Sequence, residues 1–308
     1  MNGQPHRFVA PAKINLFLHV VGRRADGYHL IQSAMQLIDL ADDLTIVVRD
    51  DGRIERAGAV RDVPEDDDLM IRAARLLQTA SGCGLGATLA NHKRIPIGGG
   101  LGGGSSDAAT TLLALNRLWG LDWPRDQLMA LGLGLGADVP FFVGGDNAVV
   151  EGIGERITPV SLPQRHFALV HPGVSVPTAA IFGAPELTRD SEIIRILDFS
   201  KNGFGASVPR PAGNARSGGP VFRNDLEPVA AARFDAVREA LSWLSRSDDR
   251  DWVGALGPAR MSGSGACVFR AFDSAEHAAA CIAAVPAQWS GWSVRSLATH
   301  PHRDGAGS

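Results

Sequence analysis

Cysteine is scarce: Cys83, Cys267 and Cys281 are the only three in 308 residues, an odd number with no Cys-x-x-Cys pair. That count argues against a disulfide framework and a thiolate zinc site, and incidental thiols suit a reducing cytoplasm. Lysine is equally rare (Lys13, Lys93, Lys201), and tyrosine occurs once, at Tyr28. Basic residues never run beyond a pair (Arg23-Arg24, Lys93-Arg94) and the formal charge is −3, so the basic stripe of a nucleic-acid binder is missing. The longest uncharged stretch, Phe167 to Pro185, is interrupted by Pro172 and Pro177, which excludes it as a membrane helix. The start, Met-Asn-Gly-Gln-Pro-His-Arg, lacks the apolar core of a secretory signal. The expectation is a cytoplasmic protein with neither nucleic acid nor membrane as partner. Without a Gly-Lys dipeptide there is no Walker A loop, and without Gly-x-Ser-x-Gly there is no support for serine-hydrolase chemistry.

Glycine is what the chain has in excess, at 36 residues, against a usual share of about 7%. Hydrophobic residues make up 45%, charged residues 20%, and mean hydropathy is near zero. This is the composition of a globular protein with a substantial core, and it excludes disorder, collagen and coiled coil as descriptions of the whole.

Period-two alternation at Ile14, Leu16, Leu18 and Val20 predicts a strand with one face in the core. Leu44–Arg49 predicts a second strand, closed by an Asp-Asp-Gly turn at 50–52. Leu69, Ala73, Leu76, Leu77 and Ala80 recur at helical spacing up to Gly82. A strand over 87–90 and a helix from Ser105 to a stop at Gly120 follow, then a helix over 125–131 and strands at 148–151 and 167–171. Further on come a helix marked by Phe234, Val237, Leu241 and Leu244, and a strand over 267–272. Asp273 with Glu276 reads as a capping box opening the last helix. Residues 201–220, rich in Gly, Pro and Ser, read as a surface loop. An α/β first half, 1–160, and an α+β second half, 161–308, are expected.

The strongest chemical signal is Pro96-Ile-Gly-Gly-Gly-Leu-Gly-Gly-Gly-Ser-Ser-Asp107, with six glycines over positions 98–104 and a helix immediately after. Bare backbone N–H groups at a helix N-terminus form an anion site, most naturally for phosphate. Ser105 and Ser106 are placed to cap the helix or to reach phosphate or Mg²⁺. Lys13, entering an apolar strand in Ala-Pro-Ala-Lys-Ile-Asn, has two readings: a cation for phosphate or a nearby acid, or a stem that packs while its head reaches water. Asp138, the only charged residue from Leu128 to Gly145, is either a helix N-cap or a general base on a rigid turn. Met261-Ser-Gly-Ser-Gly-Ala-Cys267 is a second glycine loop, suited to ligand contact or to a tight crossing. Tyr28 and His29 put an aromatic ring beside an imidazole in a loop, suited to stacking on a base or to packing. The histidines show no metal-ligand spacing.

Together these segments resemble the GHMP small-molecule kinases. Pro11-Ala-Lys-Ile-Asn-Leu16, the loop from Gly98 to Ser106 and Ser262-Gly-Ser-Gly-Ala266 stand in the family's motif order. Arg24-Ala-Asp-Gly-Tyr-His29, Leu135-Gly-Ala-Asp-Val-Pro-Phe141, His171-Pro-Gly-Val-Ser-Val-Pro-Thr178 and Asn224-Asp-Leu-Glu-Pro228 resemble the branch that phosphorylates a cytidylyl sugar alcohol in isoprenoid precursor synthesis. The resemblance implies a two-domain α/β (α+β) architecture with the active site in the inter-domain cleft. It implies ATP as donor, wrapped by Pro96, Ile97, Gly98, Gly99, Gly100, Leu101, Gly102, Gly103, Gly104, Ser105 and Ser106, with Mg²⁺ held mainly by the ATP phosphates and no protein metal site. By the same resemblance Lys13 and Asp138 match the catalytic pair, Asp138 accepting the proton of the substrate's 2-hydroxyl. Tyr28, His29 and Phe182 would read the cytidine, and Asn15 and Thr178 would touch the polyol or diphosphate. Asp68 and Asp107 stand where members often carry asparagine, and the stretch 203–220 is longer than in compact members. A homoserine- or mevalonate-type kinase, and a nucleotide-binding regulator without catalysis, are the competing functions.

Overall fold

The computed structural model describes residues 3–58, 63–195, 222–246 and 252–303; the expected loop at 201–220 lies outside them. The alternation over 14–20 belongs to a longer strand, β1 (Pro5–Arg23), paired antiparallel with β2 (His29–Arg49) along nearly its whole length. Gly27, at φ +91°, and the bond from Arg24 N–H to the Tyr28 carbonyl close the turn between them. The expectation of one exposed face is corrected: every residue from Ala10 to Val20 is buried. Register shifts at Pro11/Ala12, Asn15/Phe17 and Val20/Gly22 bend the ribbon, and bulges of this kind re-aim side chains. As a result β1 supplies Phe8 and Ala10 to one hydrophobic cluster, Ala12, Ile14, Leu16 and Phe17 to a second, and Leu18 and Val20 to a third.

The first sheet adds β3 (Ile54–Arg56), β4 (Gly86–His92), β5 (Ala148–Gly152) and β6 (Arg156–Pro159), in the order β3-β4-β2-β5-β6 with β1 also on β2. The second comprises β7 (His166–His171), β8 (Ala255–Met261), β9 (Val268–Phe272) and β10 (Ser290–Arg295), all antiparallel, in the order β10-β7-β9-β8.

Helix α1 (Leu69–Ser81) starts where the Asp68 carboxylate accepts from Met70 N–H at 2.9 Å and stops at left-handed Gly82. It buries Met70, Ile71, Ala73, Ala74 and Leu77 in the first cluster, with α2 (Gly103–Leu118) beside it. α2 begins two residues earlier than Ser105, because Gly102 at φ +72° turns the chain into it. α3 (Arg125–Leu133) and α4 (Val139–Gly144) complete this lobe.

In the other lobe lie α5 (Thr178–Phe182), α6 (Glu227–Arg233), α7 (Asp235–Leu244) and α8 (Ala275–Ala283). The N-cap of α8 is Ser274, accepting from His277 N–H at 3.2 Å; Asp273 instead meets His277 Nδ1 at 2.6 Å, which corrects the expected capping box. Residues 296–303 return to the first lobe, with Leu297 N–H on the Leu37 carbonyl at 2.8 Å and His300 N–H on that of Gly145 at 2.7 Å. Among the described residues no helix is long and apolar enough to cross a membrane.

Candidate active site

A cavity of about 940 Å³ opens between the lobes, floored by β1 and walled by the glycine stretch, the α4 start and α5. The glycine stretch is held by backbone on both sides. Lys13 N–H donates to Leu101 O at 3.0 Å, Cys267 N–H to Gly99 O at 3.1 Å, and Ser262 Oγ to Gly100 O at 3.0 Å. Gly100 has φ +74°, and a Cβ there would lie 2.0 Å from the Ser262 carbonyl oxygen. Here glycine is required by contact as well as by conformation. The second glycine loop is therefore both a tight crossing and, through Gly263, Ser264 and Gly265, part of the cavity wall. Asn224, from the Asn-Asp-Leu-Glu-Pro segment, steadies it by donating Nδ2 to the carbonyls of Met261 (2.9 Å) and Gly263 (2.7 Å).

No side chain caps the N-terminus of α2, so the first-turn N–H groups and the positive end of the helix dipole are available to an anion. Gly102, Gly103, Gly104 and Ser105 line the cavity there. Ser106 does not: it is fully buried and its Oγ donates to the Pro11 carbonyl at 2.6 Å. The expectation of a phosphate-facing Ser106 hydroxyl is thus corrected; the helix rotation that points Ser105 at the cavity turns Ser106 toward β1.

Lys13 Nζ lies 3.4 Å from Asp138 Oδ2, with side-chain exposures of 4% and 29%. The lysine head does not reach water, so its alternative reading fails; it donates to Asn15 Oδ1 at 2.5 Å and Gly100 O at 3.1 Å. Asp138 occupies the N-cap position of α4 yet makes no capping hydrogen bond, which leaves its carboxylate to Lys13 and the cavity. Asn15 is 1% exposed and donates Nδ2 to Ser33 Oγ at 2.8 Å, so its amide chiefly holds Lys13 in place.

At the far end of the cavity, Tyr28 is 64% exposed at the tip of the β1–β2 turn. The His29 and Phe182 rings sit 5.0 Å apart at 40°, and Thr178 Oγ1 is 2.7 Å from Ser264 Oγ. Burial, then the nearby Arg189 and Arg23 guanidinium groups, hold the His29 imidazole below its ordinary pKa.

Beside the glycine stretch, Lys93 Nζ bridges Asp42 (2.5 Å) and Asp107 (2.7 Å), and Asn91 Nδ2 donates to Asp107 at 2.7 Å. Burial, with Asp42 close by, pushes the Asp107 carboxyl up to about 7 against the pull of Lys93. Asp68 pairs with Arg56 at 3.1 Å while capping α1. Both acids that stand where family members often carry asparagine therefore have a cation partner. Asn91 Oδ1 and Asp107 Oδ1 are buried without a partner in this wall of the cavity. Sequence reasoning named Lys93, Asp107 and the Asn224 segment but not the Asp42–Lys93–Asp107 cluster or the hold of Asn224 on the second glycine loop, and it missed Arg189; the scarcity of lysine was the one available signal for the cluster.

Among the described residues no three His, Cys, Asp or Glu side chains converge as a metal cage. Ser105 Oγ at the start of α2 and the Asp138 carboxylate are among the oxygens that line the cavity, hard donors that suit Mg²⁺ bound largely through phosphates and water.

Two family descriptions match the chain: "GHMP kinases N terminal domain" over residues 68–146 and "GHMP kinases C terminal" over residues 211–291. A protein of Ralstonia pickettii named 4-diphosphocytidyl-2-C-methyl-D-erythritol kinase is 53% identical over 295 residues, covering 95% of this chain and 94% of the relative. One of the same name from Herminiimonas arsenicoxydans is 51% identical over 297 residues, covering 95% of each. A crystal structure titled 4-(cytidine 5'-diphospho)-2C-methyl-D-erythritol kinase superposes with TM-score 0.72 at 35% identity, covering 94% of this chain and 98% of that one. Homoserine kinase from Cytophaga hutchinsonii superposes with TM-score 0.67 at 17% identity, covering 97% of each, and shares the fold.

Proposed function

From the premise that this chain belongs to the GHMP kinases, and within them to the 4-diphosphocytidyl-2-C-methyl-D-erythritol kinases, we propose that Lys13 and Asp138 form its phosphoryl-transfer centre. The enzyme is a phosphotransferase with an alcohol acceptor in the non-mevalonate isoprenoid pathway, and ATP is the donor. The observation that carries the mechanism is the 3.4 Å Lys13–Asp138 pair in the same cavity as the uncapped end of α2.

The substrate's 2-hydroxyl oxygen attacks the γ-phosphorus, the β–γ bridging bond breaks, ADP leaves, and the hydroxyl proton passes to Asp138. Lys13 holds the Asp138 carboxylate in place across the 3.4 Å ion pair and offsets negative charge on the transferring oxygens. The α2 N-terminus and the bare glycine backbone hold the phosphates. When bound, Mg²⁺ would be held by Ser105 Oγ and Asp138 beside the ATP phosphates and would neutralise their charge. The unpartnered oxygens of Asn91 and Asp107 suit the amino group of the nucleotide base. Tyr28, His29 and Phe182 take the cytosine, and Thr178 the polyol or diphosphate. A cytoplasmic location follows from the supply of ATP and agrees with free Cys83, Cys267 and Cys281.

The test is ATP consumption with Mg²⁺ and four acceptors: the cytidylyl substrate, the same polyol phosphate without its cytidylyl group, homoserine and mevalonate. Turnover only with the cytidylyl compound is expected. Phe182→Ala should raise its KM about 10- to 100-fold, the worth of one base–aromatic stack, with kcat nearly unchanged. Equal turnover of homoserine or mevalonate would refute the base-reading pocket.

A further inference from the structure

Arg189 has no place in the mechanism above and no motif marks it, yet it ties together the wall around His29 and Phe182. Its Nε donates to His29 Nε2 at 3.1 Å. The rest of the guanidinium is spent on backbone carbonyls: Nη1 on Leu187 at 2.9 Å, Nη2 on Phe182 at 3.0 Å and on Ala184 at 2.7 Å. One planar fork, reaching back 160 residues from Arg189 to His29, thus joins the start of β2 to the end of α5. It holds the two rings of the pocket 5.0 Å apart.

The chemistry of the contact is one-sided. A guanidinium has no acceptor and keeps its protons at any pH of interest. The nitrogen that receives its N–H therefore carries no hydrogen. His29 Nε2 is the acceptor, so the ring hydrogen sits on Nδ1, which has no hydrogen-bond partner among the described residues. His29 lines the cavity, and the ring nitrogen that Arg189 leaves free is a donor.

We propose that Arg189 is a positioning and specificity-determining residue: it fixes His29 as the neutral Nδ1–H tautomer, so that the pocket offers a donor to a base bearing a ring-nitrogen acceptor. Cytosine presents the acceptors N3 and O2 side by side, whereas uracil has N3–H at that place. The inference rests on the cytidylyl reading of the same pocket and deepens it. The charged groups facing His29 are Arg189 from the segment after α5 and Arg23 from the end of β1; Asp26 in the intervening turn is engaged by Arg24 at 2.8 Å. Both cations and the loss of water oppose a second proton on the ring. Recognition should therefore stay constant on acidification through the range where an ordinary imidazole titrates, about pH 6.5.

The first experiment needs no activity. Two-bond ¹H–¹⁵N correlation spectra of the wild-type protein, with the His29 signal assigned by its loss in His29→Gln, read the tautomer directly. An Nδ1–H ring that stays neutral to below pH 6 is expected; an Nε2–H ring, or one titrating near 6.5, overturns the proposal. In Arg189→Met the ring should become a tautomer mixture and titrate normally. KM for the cytidylyl substrate should then be raised by up to about tenfold at pH 8, the size of one lost hydrogen bond, where the Nε2–H tautomer turns Nδ1 into an acceptor. It should return toward the wild-type value as pH falls to 6 and the imidazolium carries both N–H groups, with kcat unchanged. The preference for the cytidylyl over the corresponding uridylyl substrate should fall by a similar factor. A wild-type pH profile and base preference in a folded Arg189→Met protein overturn the proposal. Arg189→Lys, which keeps a donor but not the fork, should retain more of the base preference than Met; equal loss in both argues for a merely structural role and overturns it too. If the wild type fails to use the cytidylyl compound, the functional reading falls, while the spectra still decide the tautomer.

Discussion

Replacing Lys13 by methionine keeps the reach of the side chain and removes its charge, which isolates what the ammonium does. At the observed 3.4 Å, two unit charges attract by about 5 kcal/mol at an effective dielectric of about 20. Because the Asp138 side chain is 29% exposed, solvent screening leaves about 2 kcal/mol of that. The ammonium also donates to charge that develops on the phosphoryl oxygens, and losing one such preorganised donor costs about 3–4 kcal/mol. The sum, about 5–6 kcal/mol, is a fall of about 10⁴ in kcat. KM for ATP should change little, since the glycine backbone and the α2 terminus are untouched. Steady-state kinetics on Lys13→Met, Asp138→Asn and the double variant form the assay. Groups acting as one unit are non-additive, so the double variant should be no more than about tenfold slower than the slower single. Asn15 Oδ1 and Gly100 O each lose a donor, at about 1–3 kcal/mol apiece, so folding is checked by circular dichroism. A folded Lys13→Met protein with kcat within tenfold of wild type would falsify the assignment, and so would a double variant slowed by the product of the two singles.

Gly100→Ala brings a Cβ to 2.0 Å from the Ser262 carbonyl at a φ of +74°. Strain of about 1–2 kcal/mol for the left-handed conformation adds to that clash, and Tm should drop by more than about 5 °C with a raised KM for ATP. Gly84→Ala, with nothing within 4 Å of its Cβ, should do neither, and equal melting of the two variants would sink the argument. Asp107 titrates at about 7 in the fold against 3.8 for the free side chain. Between those values the native state binds the extra proton, so the residue's contribution to stability falls as pH rises. The Tm of wild type relative to Asp107→Asn should therefore decline from pH 4 to 7; a flat difference means the carboxyl is ionised throughout.

The glycine stretch was legible because missing side chains are themselves the signal, and the helix after it was placed to within two residues. Gly82 and the apolar spacing of α1 were equally plain. The strand at 14–20 was found but not its extent. Bulges reset the alternation within β1, and residues 32–38 of β2, buried without a break, carry no clean period. Lys13 and Asp138 each had an even alternative until geometry joined them: buried on one side, uncapped on the other. Arg189 was invisible because its partners lie either 160 residues away or in featureless carbonyls. Ser106 was misread because neighbouring serines look alike in sequence, while a helix turns successive side chains by about 100°.

The passage of β1 through all three hydrophobic clusters limits how this enzyme moves. Lys13 and Asn15 ride on a strand whose successive segments are clamped in different cores. A rotation of one lobe against the other would drag those segments out of register, so the molecule has no cheap hinge. The cleft behaves as a mould rather than a jaw. Freedom of motion is left to the rim, chiefly the exposed tip at Tyr28, and selection among substrates falls on fit to a shape already cast.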